Sequence, residues 1–111
     1  MTKAANSVAK NTTAVVERNF TKNSVETSDQ DEEIVSIQKF VTTPAEVEVG
    51  IALTMNLGNF ESAKLSVHLR VPCYSEEKDE AFDFAQRWVE ERVMKERDLI
   101  RRHQQGDANP L

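Results

Sequence analysis

The stretch VEVGIALTMNLGNFESAKLSVHLRVPC, residues 47–73, decides the fold. Val47, Val49, Ile51, Leu53, Met55 and Leu57 take every second position, with Glu46, Glu48, Gly50, Ala52, Thr54 and Asn56 between them. Beyond Gly58-Asn59 the pattern resumes, and Ala63, Leu65, Val67, Leu69 and Val71 alternate with Lys64, Ser66, His68 and Arg70. Successive strand side chains point to opposite faces, so each run has one apolar and one polar face. Two such runs around residues that tolerate positive φ predict an antiparallel β-hairpin, one face on a core and the other in water. Pro72 donates nothing to a ladder and closes the second strand.

A cover for the apolar face follows in the chain. Ser75 is expected to cap a helix whose first turns hold Glu76, Glu77, Asp79 and Glu80. Its far end holds Arg97, Arg101, Arg102 and His103, and Gly106 suits the position just past the end. Both sets of charges suit the helix dipole. Ala81, Phe82, Ala85, Trp88, Val89, Val93, Leu99 and Ile100 form the predicted apolar stripe. Upstream, residues 34–41 are expected to add a third strand, ended by Thr42-Thr43-Pro44-Ala45. Residues 1–33 are rich in Thr, Asn, Ser and Lys and bury little apolar surface, which predicts a flexible polar tail. Along that tail Lys3, Lys10, Arg18 and Lys22 precede Asp29, Asp31, Glu32 and Glu33. The expected organisation is a tail over 1–33, a small α+β domain over 34–105 and a C-terminal tail over 106–111. The domain is expected to be a three-stranded antiparallel sheet covered by one long helix.

A chain of 111 residues with a net charge of −5 holds one small domain and is not a broadly cationic nucleic-acid binder. It has no apolar run of about 18 residues and no apolar leader segment, so no membrane partner and a cytoplasmic location are expected. The single Cys73 lies on the apolar register of its strand, where a structural thiol is expected. There is no Gly-rich phosphate loop, His-x-x-x-His, Cys-x-x-Cys or nucleophile elbow, and the acidic run at 29–33 lacks the spacing of a calcium loop. The expectation is a non-enzyme with no metal and no cofactor.

Two clusters are candidate binding sites. Lys64, His68 and Arg70 share the polar face of the second strand, with Asn56 across the ladder and Asn59 and Phe60 at the tip. Cations, amides and an aromatic at the rim of a sheet suit single-stranded nucleic acid, although Glu46 and Glu48 share this face. Arg97, Arg101 and Arg102 form the second cluster, suited to an anion. Length also has a consequence. A helix of about 28 residues spans about 42 Å, and strands of about 11 residues reach about 36 Å. The helix should overhang from Arg97, leaving Leu99 and Ile100 in need of cover, and the core is thin. A homo-oligomer, most simply a symmetric dimer, is therefore expected.

The run Val49–Ser62, followed by Val71-Pro72-Cys73 and by Trp88-Val89-Glu90-Glu91 on an acidic helix, resembles small bacteriophage-encoded proteins. That family is associated with replication and recombination modules, and the resemblance covers residues 46–95. It implies a phage protein acting in the host cytoplasm, with single-stranded DNA as ligand. An anti-defence inhibitor that binds a host protein or sequesters a nucleotide signal, and a virion or assembly component, stay open beside it.

Overall fold

The computed structural model describes the backbone of residues 7–108 and the side chains of residues 7–102. Four strands, β1 (Val8–Lys22), β2 (Val25–Phe40), β3 (Ala45–Gly58) and β4 (Glu61–Cys73), precede a 3-10 turn (Ser75–Glu77) and the helix α1 (Lys78–Ala108). The strands form one antiparallel sheet in the order β2-β1-β4-β3. The fold is α+β, two hairpins joined side by side with α1 across one face.

The expected central hairpin is β3–β4, and β4 is the spine of the core. Ala63, Leu65, Val67, Leu69, Val71 and Cys73 on its inward register are all buried, because β1 and β3 flank the strand and α1 packs over it. Against them pack Ala14 and Val16 from β1 and Ala81, Ala85, Val89 and Val93 from α1.

Residues 8–33 are not a tail, which corrects both the expected domain boundary and the expected count of three strands. The expected third strand at 34–41 is the second half of β2. Two physical features hid this hairpin. The inward register of β1 reads Thr12, Ala14, Val16, Arg18, Phe20, a mixture too small and polar to stand out as apolar alternation. Nearly every residue of β2 is exposed, since it is an edge strand to one side of α1, and an edge in water needs no apolar pattern.

Both hairpins close with two-residue turns at positive φ: Asn23 (53°) and Ser24 (67°), and Asn59 (52°) and Phe60 (62°). The second turn is thus Asn59-Phe60, one residue beyond the expected Gly58-Asn59. Gly58 (φ 83°) instead takes the register shift between Asn56 and Gly58. Tyr74, not Ser75, precedes the first helical turn: its N–H donates to Glu77 Oε1 at 3.3 Å, and the Glu77 N–H returns to its carbonyl at 2.9 Å. The Tyr74 ring meets Phe40 edge-on at 5.0 Å, and its hydroxyl accepts from the Val41 N–H at 3.0 Å, fixing the β2–β3 connection.

The buried stripe of α1 is Ala81, Ala85, Val89, Val93, Glu96 and Ile100. Phe82 and Leu99, expected in it, are 47% and 42% exposed. They adjoin Ala81 and Ile100, the members of each pair that α1 turns to the core, and neighbours on a helix point about 100° apart. The expected overhang from Arg97 is also corrected. Ile100 packs on Met55 and Ala63, with Phe20, Leu53 and Leu57 around it. The strands run to 13–16 residues and so carry the helix further than the shorter strands would. Gly106 lies inside α1 and does not end it.

Candidate binding face and hairpin tip

The sheet face away from α1 is built from directly opposed residues of four strands. One row reads Glu48, Arg70, Thr13, Ile34; the next Gly50, His68, Val15, Glu32. Nearer the tips a row reads Thr54, Lys64, Asn19, Ser28, and the last Asn56, Ser62, Thr21, Glu26. Lys64, His68, Arg70 and Asn56 therefore share one face as expected, with Asn59 and Phe60 at its end.

They are not equally available. Arg70 lies between Glu46 and Glu48, with Nε 3.9 Å from one carboxylate and Nη2 3.7 Å from the other. His68 Nε2 shares a hydrogen bond with the Ser66 hydroxyl at 2.8 Å, and its ring lies against Gly50. A Cβ at position 50 would stand 2.7 Å from His68 Cε1 and closer still to Nδ1, so the ring occupies the space glycine leaves. Asn56 Oδ1 accepts the Gly58 N–H at 2.9 Å and shapes the register shift before the turn. Lys64, by contrast, is exposed in a row of hydroxyls and amides. Phe60 is 97% exposed and carries its ring on a left-handed backbone. On the α1 side of the same tips, Phe20, Lys22, Val25, Leu57 and Glu61 line a mainly apolar cleft of about 450 Å³. The candidate face therefore divides into a tip end, Asn56, Asn59, Phe60 and Lys64, and a far end where His68 is held by Ser66 and a half-exposed Arg70 lies within 4.0 Å of two carboxylates.

In the second cluster, Arg97 is engaged with Asp98 at 3.3 Å, while Arg101 and Arg102 are exposed. Arg97 and Arg101, four residues apart, share a side of α1, and Arg102 points about 100° away from Arg101. The His103 side chain lies outside the described residues.

The most developed polar constellation lies on the other face, and sequence reasoning missed it. Glu96 is 4% exposed among apolar neighbours in the α1 stripe. Its Oε1 accepts from Arg18 Nε (3.1 Å) and Nη2 (2.8 Å), and its Oε2 from Arg92 Nε (2.9 Å). Arg18 Nη1 also donates to Asp29 (3.1 Å) and Asp31 (2.9 Å), and Arg92 Nη1 reaches Glu33 at 3.1 Å. The Arg92 guanidinium lies 5.4 Å from the Trp88 ring centroid. Burial on its own would raise the Glu96 carboxyl, but the hydrogen bonds and charges of the two arginines hold it below the ordinary value. This network ties β1 and β2 to α1 between the apolar contacts made by Val16 and Phe20. The Arg92–Glu96 spacing of four was a visible signal; that Arg18 lies on the inward register of β1 was not.

Cys73 is buried, and desolvation, helped by the charge of Glu77, raises its thiol. A neutral buried thiol is a poor nucleophile. Among the described residues no three His, Cys, Asp or Glu side chains are grouped to hold a metal ion, and no helix is long and apolar enough to cross a membrane. Comparison with known proteins gives no family-model match, no match among curated proteins and no match among solved structures.

Proposed function

We propose that the chain is a non-enzymatic binding module that engages single-stranded nucleic acid with the tip of the β3–β4 hairpin and the adjoining end of the open face. Phe60 carries this reading. A bulky residue at positive φ costs about 1–2 kcal/mol, and burying the ring would have gained about 1.5–3 kcal/mol. A fully exposed ring on a left-handed turn position supports a ligand at this tip. Phe60 would stack on a base, Lys64 would meet a phosphate, and the Asn59 amide would hydrogen-bond a base edge. Arg70 sits beside Glu46 and Glu48, so that end of the face would offer a phosphate less net positive charge than Lys64 does. The resemblance to phage-encoded proteins fits an accessory role in a host cytoplasm.

Fluorescence anisotropy of labelled single-stranded and duplex DNA, at low and moderate salt, tests this. Salt-sensitive binding of single strands, lost in Phe60→Gly and weakened in Lys64→Glu, is the expected result. Absence of binding at low salt would overturn it. A second reading, capture of a protein partner, is favoured by Glu17, Glu26, Glu32, Glu46 and Glu48 on the same face. Under that reading Phe60 is an apolar anchor for the partner, and DNA leaves the anisotropy unchanged.

A further inference from the structure

At the end of the sheet away from the hairpin tips, a cavity of about 320 Å³ opens between the first turns of α1 and the far half of β2. Thr12, Val71, Cys73 and Ala81 form its floor, and all four are buried. Ser36, Gln38, Glu77, Glu80 and Phe84 form its rim. Two features of the fold make room for it. α1 packs over β3 and β4 and leaves β2 to one side. The register of β1 and β2 also shifts here, with Thr12 opposite Ser36, Thr13 opposite Ile34 and Val35 left over.

The polar groups of this cavity are not engaged elsewhere in the fold. Thr12 is 2% exposed, and its hydroxyl has no hydrogen-bond partner among the described residues. Among those residues no fully enclosed side-chain oxygen or nitrogen lacks a partner, so this hydroxyl opens on the cavity that Thr12 lines. Ser36, Gln38 and Glu80 have no described partner either, and Glu77 gives one oxygen to the Tyr74 N–H. A buried hydroxyl left unpaired is destabilising, so a ligand that bonds it gains more than the same contact gives in water.

The wall is rich in acceptors: two carboxylates, two hydroxyls and an amide, with the Phe84 ring beside them. Neither carboxylate is ion-paired with a described residue. Lys10, opposite Gln38, and Lys78, beside Glu77, do not line the cavity. The positive end of α1 offsets only roughly half a charge. The two acids and Cys73 are not grouped to hold a metal ion. A flat, donor-rich cation on an apolar stem fits such a wall. A guanidinium places two parallel N–H bonds on one carboxylate, stacks on an aromatic face, and is more weakly hydrated than an ammonium.

We propose that this cavity binds an alkylguanidinium group. Glu80 takes the fork of the head, the Thr12 hydroxyl accepts a further N–H, and Phe84 flanks its plane. The stem lies on Val71, Cys73 and Ala81. The site is at the opposite end of the sheet from Phe60 and does not rest on what binds there.

Proton–nitrogen correlation spectra of the full chain, titrated with n-butylguanidinium, test the site. Saturable shifts at Thr12, Ser36, Gln38, Ala81 and Phe84 are expected, with Asn59 and Phe60 unmoved and a Kd of about 1 mM for so small a probe. n-Butylammonium should bind more weakly, and 1-pentanol should give no saturable shift. Thr12→Val and the rim variant Glu80→Gln should each raise the Kd about fivefold, with circular dichroism showing both folded. The same head occurs in free guanidines and in arginine side chains. A blocked arginine that binds tighter than n-butylguanidinium would assign the ligand to a protein chain, and one that binds more weakly to a free molecule; both support the site. Absence of saturable shifts at the cavity, equal shifts with 1-pentanol, or a Glu80→Gln variant that binds as the wild type does would each overturn the proposal.

Discussion

Replacing Glu96 by alanine tests what holds the N-terminal hairpin to α1. Stranding one partner of a buried ion pair costs about 3–5 kcal/mol. Here the arginines are not left alone: Arg18 keeps Asp29 and Asp31, and Arg92 keeps Glu33, carboxylates on the exposed strand β2. The cost should therefore be lower, about 2–3 kcal/mol, which lowers Tm by about 8–20 °C in a domain of this size. Arg18→Ala should cost at least as much, because it leaves the more buried group, Glu96 at 4% exposure, with Arg92 alone. Urea unfolding followed by circular dichroism measures both, and the Arg18→Ala/Glu96→Ala cycle should return a coupling of about 1–2 kcal/mol. A Glu96→Ala loss below about 0.5 kcal/mol, or strict additivity in the cycle, would refute the network as the fastening.

Three further outcomes follow from the same geometry. The folded-state value of Glu96 lies below its unfolded value, so its contribution is fully present above the ordinary glutamate range and is lost as pH falls through the lower folded-state value; melts of Glu96→Gln should lose this part of the acid dependence. Gly50→Ala drives a Cβ into the His68 ring and should cost about 1–3 kcal/mol, most of it recovered when His68→Ala is added, as thermal unfolding would reveal. Phe60→Gly should stabilise the fold by about 1 kcal/mol, since glycine adopts the left-handed backbone without penalty, while abolishing ligand binding in the anisotropy assay.

How much was legible in the sequence depended on burial. The alternation of β3 and β4 is strict because one face of each lies on the core, so the hairpin and its polar face could be read directly. β1 and β2 could not, since an edge strand in water keeps no apolar register and its neighbour is held partly by Arg18. Glu96 falls on the buried stripe of α1, but a carboxylate is assigned to the surface unless its cationic partners are known, and Arg18 lies 78 positions away. Phe82 and Leu99 were misplaced because apolar character was followed in preference to the 100° between neighbours. At the candidate site the shared face of Lys64, His68 and Arg70 followed from parity alone. That Glu46 and Glu48 flank Arg70, and that His68 fills the space above Gly50, follows only from strand pairing.

Amide hydrogen exchange across residues 8–40 tests the central structural claim most directly. If β1 and β2 complete the sheet, the β1 amides from Thr13 to Lys22, lying between β2 and β4, should be protected to a degree approaching that of β4, with β2 weaker at its outer edge. Exchange of all these amides at the rate of an unstructured chain, beside a protected β3–β4 hairpin, would contradict it.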